Sequence, residues 1–240
     1  MTQDVDLART SGDDTLGRLA ADRDLLGRAG TAQRVAEVLR DRIAEGALPP
    51  GTRLSEQALG AALGVSRNTL REAFRTLVDN RLVVHEMNRG VFVRMLDPDD
   101  VTDIYAVRRA LEGTGLRAVC TAPPERIAAL HAAVAGGEAA AELGDWAEVG
   151  TADLRFHRAL VALAGSPRLD EYMTRLIAEL RLAFLAMPSA RALHEPFLRR
   201  NREIVDLLAG GDFDGATVVL DRYLDDACEM ICAAMRMDGA

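Results

Sequence analysis

The chain has 240 residues, 49% of them hydrophobic and only 4% aromatic, so it can bury a core and is not expected to be disordered. It has no apolar run of about 18 residues and its N-terminus is acidic and polar, so we expect a cytoplasmic protein without a membrane partner. The net charge of −8 is unevenly spread: it is −2 over residues 1–30, +3 over 31–95 and −9 over 96–240. A basic module joined to an acidic body is typical of a protein in which only one domain contacts nucleic acid.

The first 95 residues predict an arm followed by three helices. Residues 1–30 indicate a mobile arm or one loose helix. Thr31 can cap a helix that runs to about Glu45 and ends at Gly46. After a Pro-Pro-Gly turn, Ser55 opens a second, short helix, and Gly64 breaks it before a third helix over residues 66–80.

The third helix has two contrasting faces. Its apolar stripe is expected to be Leu70, Phe74, Leu77 and Val78. Arg71 and Arg75 are four residues apart and share the opposite face, and Ser66 can cap the first turn. Arginine can bind guanine and asparagine can bind adenine in the major groove of DNA. We therefore interpret residues 55–80 as a helix-turn-helix whose second helix inserts into that groove.

The rest of the chain predicts a hairpin and then helices only. Two β-rich runs, 82–86 and 91–94, flank an Asn-Arg-Gly turn, which indicates a hairpin and hence a winged helix over residues 31–95. Residues 96–100 are expected to be a linker, and residues 101–240 an all-α bundle. Its expected helices are 99–120, 124–142, 145–164, 168–186, 195–209 and 212–236. The predicted fold class is mainly α: a winged helix-turn-helix with a small hairpin, followed by a helical bundle.

These motifs resemble a known family. Residues 48–56, 64–73, 81–83 and 90–93 are similar to the DNA-binding module of the GntR superfamily of bacterial transcription regulators. Residues 105–112 and 153–157 resemble the helical FCD ligand domain of its FadR-like branch. The resemblance implies a dimeric regulator, usually a repressor, that binds a pseudo-palindromic double-stranded operator and is controlled by a small-molecule effector.

Carried over residue by residue, the resemblance implies a set of DNA-facing residues on the helix-turn-helix and the wing. They are Gln57, Ser66, Arg67, Asn68, Thr69, Arg71, Arg75, His85, Arg89 and Gly90.

In the helical domain, the resemblance implies an effector pocket. Its expected residues are Arg108, Glu112, Asp153, His157, Asn201 and Tyr223. Arg108 and Glu112 are four residues apart, so a structural ion pair is the alternative for these two. Arg108, Arg155 or Arg158 could hold a carboxylate in a bidentate fork, which suits a small organic acid, with an acyl-CoA as an alternative. His194 is expected at the surface, with a place at the pocket as the alternative if its helix starts early, and His131 is expected to be inert.

The resemblance also raises the question of a divalent metal, which many members of this branch hold with one Asp and three His. Asp153 and His157 match the first two ligands and lie four residues apart on one helix face. Asn201 and Tyr223 stand where the other two histidines are expected, and both are poor ligands for a transition metal. We therefore favour a polar pocket that binds the effector directly.

Two other classes of function remain open. A ligand-free dimeric DNA-binding protein would account for the missing histidines. A metal-dependent enzyme is suggested only by Asp153 and His157, because the chain shows no nucleophile motif and no phosphate-binding glycine loop, and we do not expect an enzyme. The three cysteines, Cys120, Cys228 and Cys232, do not resemble a disulfide framework. Cys228 and Cys232 are one helical turn apart and are interpreted as small buried hydrophobic residues.

Overall fold

The computed structural model describes residues 30–238 and, before them, Gly17. The chain forms two compact units that divide between Met95 and Leu96. The arm expected over residues 1–30 lies outside the described residues, apart from Gly17 and Gly30. The predicted fold class, a winged helix followed by a helical bundle, is confirmed.

Within residues 30–95, the first unit contains three helices and a small antiparallel sheet. The helices are α1 (Thr31–Ala44), α2 (Glu56–Leu63) and α3 (Arg67–Asp79), and the strands are β1 (Arg53–Leu54), β2 (Val83–Glu86) and β3 (Gly90–Val93). The strand order is β1-β3-β2, with Val83 opposite Val93 and Arg53 opposite Phe92. The hairpin β2–β3 agrees with the prediction, whereas β1 was not predicted, because two residues are too few to show a strand alternation.

The core of this unit lies between α1 and α3. The buried side chains of α3 are Leu70, Ala73, Phe74 and Leu77, spaced three and four residues apart as a helix face requires. Val78, which was expected in this stripe, is 40% exposed, because it stands one position beyond Leu77 and at the edge of the buried face. The expected cap by Thr31 is also wrong: the N-cap is Gly30, which makes no side-chain hydrogen bond.

The turn between α2 and α3 depends on one glycine and one serine. Gly64 ends α2 with a φ of 66°, a left-handed conformation that glycine adopts without strain. Ser66 then caps α3, and its hydroxyl oxygen accepts from the backbone N–H of Thr69 at 3.2 Å.

The second unit contains six α-helices in the described residues. They are α4 (Pro98–Arg117), α5 (Pro124–Glu142), α6 (Trp146–Ala162), α7 (Pro167–Leu185), α8 (Ala190–Ala209) and α9 (Phe213–Asp238), and a 3-10 turn, Val119–Thr121, follows α4. Asp97 caps α4 in a capping box, so three of the five residues expected in the linker belong to the first turn of this helix. Ser189 caps α8, which begins at Ala190, five residues before its expected start, and Pro196 lies inside the helix.

Helix α6 is central to this unit and contacts α4, α5, α7 and α8. Its buried residues include Phe156, Leu160 and Val161. Gly115 of α4 packs directly on the α6 backbone: a Cβ atom built at this position would lie 2.0 Å from the carbonyl oxygen of Leu160. Only glycine allows α4 and α6 to cross at this distance.

None of the helices in the described part of the chain combines the length and apolar content that crossing a membrane requires. Of the two cysteines expected to be buried, Cys232 is buried and Cys228 is half-buried; Cys120 is exposed on the 3-10 turn.

Candidate DNA-binding surface and buried polar cluster

Helix α3 presents a polar, exposed face opposite its buried stripe. Arg67, Asn68, Arg71 and Arg75 are exposed, and Thr69 is half-buried. Hydrogen bonds order the first turn: the hydroxyls of Ser66 and Thr69 are 2.8 Å apart, and Asn68 Nδ2 donates to Glu72 Oε1 at 3.1 Å. The polar side chains at the start of α3 are therefore partly preorganised.

Arg71 makes a contact that was not predicted. Its Nε atom donates to Glu56 Oε1 of α2 at 2.9 Å, with the two side chains 63% and 31% exposed. The hydrogen bond and negative charge of Glu56 raise the pKa of Arg71 above its ordinary value. The two residues are 15 positions apart, so only the packing of α2 against α3 reveals the pair.

A surface hollow of about 420 Å³ lies between α3 and the wing. Arg71, Arg75 and His85, all expected to face DNA, line it together. Arg89 lies in the turn of the wing, pairs with Glu86 and places its guanidinium carbon 5.4 Å from the centre of the Phe92 ring. Gln57 is exposed on α2, and the half-buried Gly90 begins β3.

In the second unit, the six residues expected at the effector pocket come together in one buried cluster. None of them is more than 6% exposed: Arg108, Glu112, Asp153, His157, Asn201 and Tyr223. They come from four helices, since α4 carries the first two, α6 the next two, and α8 and α9 one each.

A continuous chain of polar contacts joins these side chains. Arg108 Nε donates to Glu112 Oε1 at 2.8 Å, and His157 Nδ1 donates to Glu112 Oε2 at 2.7 Å. On its other side, His157 Nε2 lies 3.7 Å from Asp153 Oδ1. The same Asp153 oxygen accepts from Asn201 Nδ2 and from the Tyr223 hydroxyl, each at 2.8 Å.

The two buried carboxyl groups are held in their ionised form. Burial raises the pKa of Glu112, but Arg108 and His157 outweigh it and hold this pKa below its usual value. Burial likewise raises the pKa of Asp153, and His157, His194 and the hydrogen bond from Asn201 together hold it below its usual value.

Three polar atoms of the cluster have no hydrogen-bond partner among the described residues. They are Arg108 Nη2, His157 Nε2 and Asn201 Oδ1. Buried polar atoms in this state are rare and often mark a site for a ligand or an ordered water. A cavity of about 10 Å³, lined in part by Asp153, His194 and Asn201, has room for about one water molecule.

Sequence reasoning misplaced or missed several residues near the cluster. His194, expected at the surface, is buried, and its ring lies 4.9 Å from that of Phe184. Tyr105 was missed, although it stands one helical turn before Arg108 and its ring lies 4.7 Å below the guanidinium carbon. Arg155 and Arg158 are on the exposed face of α6, so of the three arginines considered for a carboxylate only Arg108 joins the cluster.

The residues present do not fit the metal site that the resemblance implies. Asn201 and Tyr223 stand in place of two imidazoles, and both direct N–H or O–H donors at Asp153. The amide nitrogen of Asn201 has no lone pair for a metal, and its amide oxygen is a poor substitute for imidazole on a transition metal. Burial raises the pKa of Tyr223 well above its ordinary value, which opposes the phenolate form. Among the described residues, no three His, Cys, Asp or Glu side chains form a group that could hold a metal.

A winged helix with an exposed arginine-rich helix, followed by a helical domain with a buried polar cluster, defines a DNA-binding regulator. Family comparison agrees: residues 31–93 match the model of the bacterial regulatory proteins of the gntR family, and residues 103–226 match the FCD domain. The chain belongs to the GntR family of transcriptional regulators, in its FCD-containing branch.

Individual relatives extend over most of the chain. A protein of Paenarthrobacter nicotinovorans named "Probable D-xylose utilization operon transcriptional repressor" is 30% identical over 83% of this chain and 88% of its own length. The Nta operon transcriptional regulator of Aminobacter aminovorans is 29% identical over 78% of this chain and 89% of its own. A solved structure of a transcriptional regulator GntR from Rhodococcus sp. RHA1 is 44% identical, covers 86% of this chain and 99% of its own, and superposes with a TM-score of 0.80.

Proposed function

We propose that this regulator is a repressor that binds a pseudo-palindromic operator as a homodimer and responds to a small organic acid. The observation that carries the proposal is the exposed polar face of α3 beside the wing, in the unit with the positive charge. The name of the Paenarthrobacter relative, a repressor, supports the direction of regulation.

In this proposal, α3 enters the major groove with its N-terminal turn toward the bases. Arg67 and Arg71 contact guanine edges and Asn68 contacts adenine, which are the pairings that the geometry of these side chains favours. His85 and Arg89 of the wing contact the backbone or the minor groove. A two-fold dimer then places two copies of α3 on half-sites about one helical turn apart.

Substitution of Arg71 tests this placement. The operator is first isolated by capturing genomic fragments on the protein and sequencing them. We expect Arg71→Ala to reduce discrimination between this operator and a scrambled duplex by about 5- to 150-fold, measured by fluorescence anisotropy at fixed salt. Arg175→Ala is the matched control, because Arg175 is an exposed arginine of the helical unit, paired with Glu171. Equal discrimination by the two variants would exclude α3 as the reading element.

The effector is proposed to bind at the buried cluster, with its carboxylate on Arg108. Arg108 Nη2 is a buried donor with no partner among the described residues, and a carboxylate can accept from it in a charge-assisted hydrogen bond. The present cavity is far smaller than such a ligand, so binding requires the cluster to open. A ligand that binds only the opened arrangement shifts the population toward it, which can change affinity for the operator.

A screen of small carboxylic acids tests the effector assignment. Trp146 is the only tryptophan and belongs to α6, so its fluorescence follows thermal unfolding of the helical unit. We expect one acid to raise the Tm of the wild-type protein and to raise that of Arg108→Lys far less, because lysine keeps the charge but loses the planar fork. An equal rise in both proteins would remove Arg108 from the site, and no rise with any acid would favour a ligand-free DNA-binding protein.

A further inference from the structure

One carboxylate oxygen in the helical domain joins three helices. Asp153 Oδ1 of α6 accepts from Asn201 of α8 and from Tyr223 of α9, and all three side chains are buried. Hydrogen bonds to a buried, ionised acceptor are stronger than those between neutral groups. These two bonds therefore tie α8 and α9 to the central helix at a single point.

Ring contacts reinforce the same point. The Tyr223 ring packs against His157 at a centroid distance of 4.8 Å and against Phe197 at 4.7 Å. The phenol thus occupies a fixed position on α9, with its hydroxyl aimed at the carboxylate.

A metal ion held by one aspartate and three histidines of these helices would make the same connection by coordination. Here both replaced positions carry hydrogen-bond donors, and both donate to Asp153 Oδ1, the carboxylate oxygen that lies 3.7 Å from His157 Nε2. We infer that Asn201 and Tyr223 take over the cross-linking role of a metal ion, so that the helical domain of this protein folds and keeps its shape without one.

Asn201 and Tyr223 are structural donors that, together with the neighbouring imidazoles of His157 and His194, stabilise the charge of the buried Asp153 against its desolvation penalty. Since the aspartate is satisfied by protein donors, effector binding at this cluster does not require chelation of an ion.

The first experiment compares the full-length wild-type protein with and without metal. Metal content is measured by mass spectrometry of the purified protein, and Tm is measured by Trp146 fluorescence in EDTA and in separate additions of Zn²⁺, Ni²⁺ and Mn²⁺. We expect far less than one ion per protomer and a Tm that is unchanged within about 1 °C. About one ion per protomer, or a Tm that falls in EDTA and recovers with an ion, would overturn the inference.

A double substitution, Asn201→His with Tyr223→His, tests whether these two positions are the replaced ligands. We expect it to bind one divalent ion per protomer and to gain about 5–10 °C in Tm when the free ion is about 100 times its dissociation constant. A folded double variant that binds no ion would contradict the assignment of these positions.

Tyr223→Phe keeps the inference testable if the double variant does not fold. It removes only the hydroxyl that donates to Asp153, and we expect it to lower Tm by about 3–10 °C whether metal is present or not. Tyr172→Phe is the matched control, because Tyr172 is 62% exposed on α7. Equal Tm values for the two variants would show that the Tyr223 hydroxyl does not stabilise the domain, and would overturn the inference.

Discussion

Arg71 and Glu56 form an ion pair on the surface that we propose contacts DNA. The carboxylate holds the guanidinium at 2.9 Å and also places a negative charge where phosphates would approach. Because the pair is largely exposed, it adds little to folding stability. Its effect is expected in DNA binding, where Glu56 orients Arg71 and opposes contact with an arbitrary backbone.

We therefore expect replacement of the Glu56 carboxylate to reduce the selectivity of the protein for the operator over other duplexes. We expect Glu56→Gln to raise affinity for a scrambled duplex by about 2- to 5-fold, and to reduce the ratio of operator to scrambled affinity, because it removes the repulsion and frees the guanidinium. Glu45→Gln, which breaks an exposed pair with Arg42 at the end of α1, controls for the change in net charge. A Glu56 variant that behaves like the Glu45 variant on both duplexes would show that Glu56 has no part in selectivity.

His194 predicts a pH dependence of the helical unit. Burial lowers the pKa of His194 from 6.5, and Arg181 adds to this while Asp153 opposes it. Above pH 6.5 the imidazole is neutral in both folded and unfolded chains, so it has no effect on relative stability. As the pH falls below 6.5, the unfolded chain takes up the proton first, and the free energy of unfolding decreases until the lower pKa of the folded protein is reached.

The slope from this one group is at most about 1.4 kcal/mol per pH unit. Denaturant unfolding followed by Trp146 fluorescence between pH 7.5 and 5.5 measures it. We expect His194→Gln to unfold with a shallower pH dependence than the wild-type protein, since the variant keeps every other histidine. Parallel curves for the two proteins would mean that His194 does not titrate differently on folding.

The role of a single residue could be predicted from the sequence where its partners lie only three or four positions away. The Ser66 cap and the polar face of α3 depend on positions three and four apart, which the sequence displays directly. The Glu56–Arg71 pair and the burial of His194 depend on how helices pack, and no local pattern encodes them. The six cluster residues were expected together only through the family resemblance, because they come from four helices.

At the level of elements, the crossing of α4 and α6 determines the positions of the side chains in the buried polar cluster. Glu112 and Gly115 lie on the buried face of α4, and the close approach at Gly115 lets Glu112 reach His157. A larger side chain at position 115 must push the two backbones apart, since the atoms it would meet belong to the main chain of Leu160 and Val161.

Two glycine substitutions in the same helix should therefore have opposite effects. We expect Gly115→Ala to destabilise the helical unit by about 1–3 kcal/mol through overpacking. Gly113→Ala should instead stabilise it by about 0.5–1 kcal/mol, because a Cβ at position 113 meets only the end of the Arg117 side chain at 3.5 Å and alanine favours the helix. Chemical denaturation measures both, and a loss of stability in both variants would contradict the backbone contact as the cause.

Most elements could be predicted from periodicity, and the exceptions have simple causes. The helices of the second unit follow the 3.6-residue pattern and lie close to their expected limits. The start of α8 was placed late, because Pro196 suits a first turn, whereas the Ser189 cap begins the helix earlier. Strand β1 forms only through pairing with β3, and a run of two residues has no pattern from which this pairing could be predicted.

For the whole molecule, the two units differ in net charge in the way that their proposed functions require. Residues 31–95, which hold the winged helix, have a net charge of +3 and suit a polyanion. The helical unit, with a net charge of −9, is strongly acidic and is expected to avoid one. Binding to any duplex should therefore weaken as salt is raised, while preference for the operator depends on the side chains of α3.

A hydroxyl-radical footprint on the isolated operator tests the central claim most directly. We predict two symmetric protected tracts centred about one helical turn apart, one for each copy of α3 in a dimer. Both tracts should disappear in a variant that combines Arg67→Ala with Arg71→Ala, and both should persist in Arg175→Ala. A single asymmetric tract, or protection that survives in the double variant, would contradict the docking of two winged modules through α3.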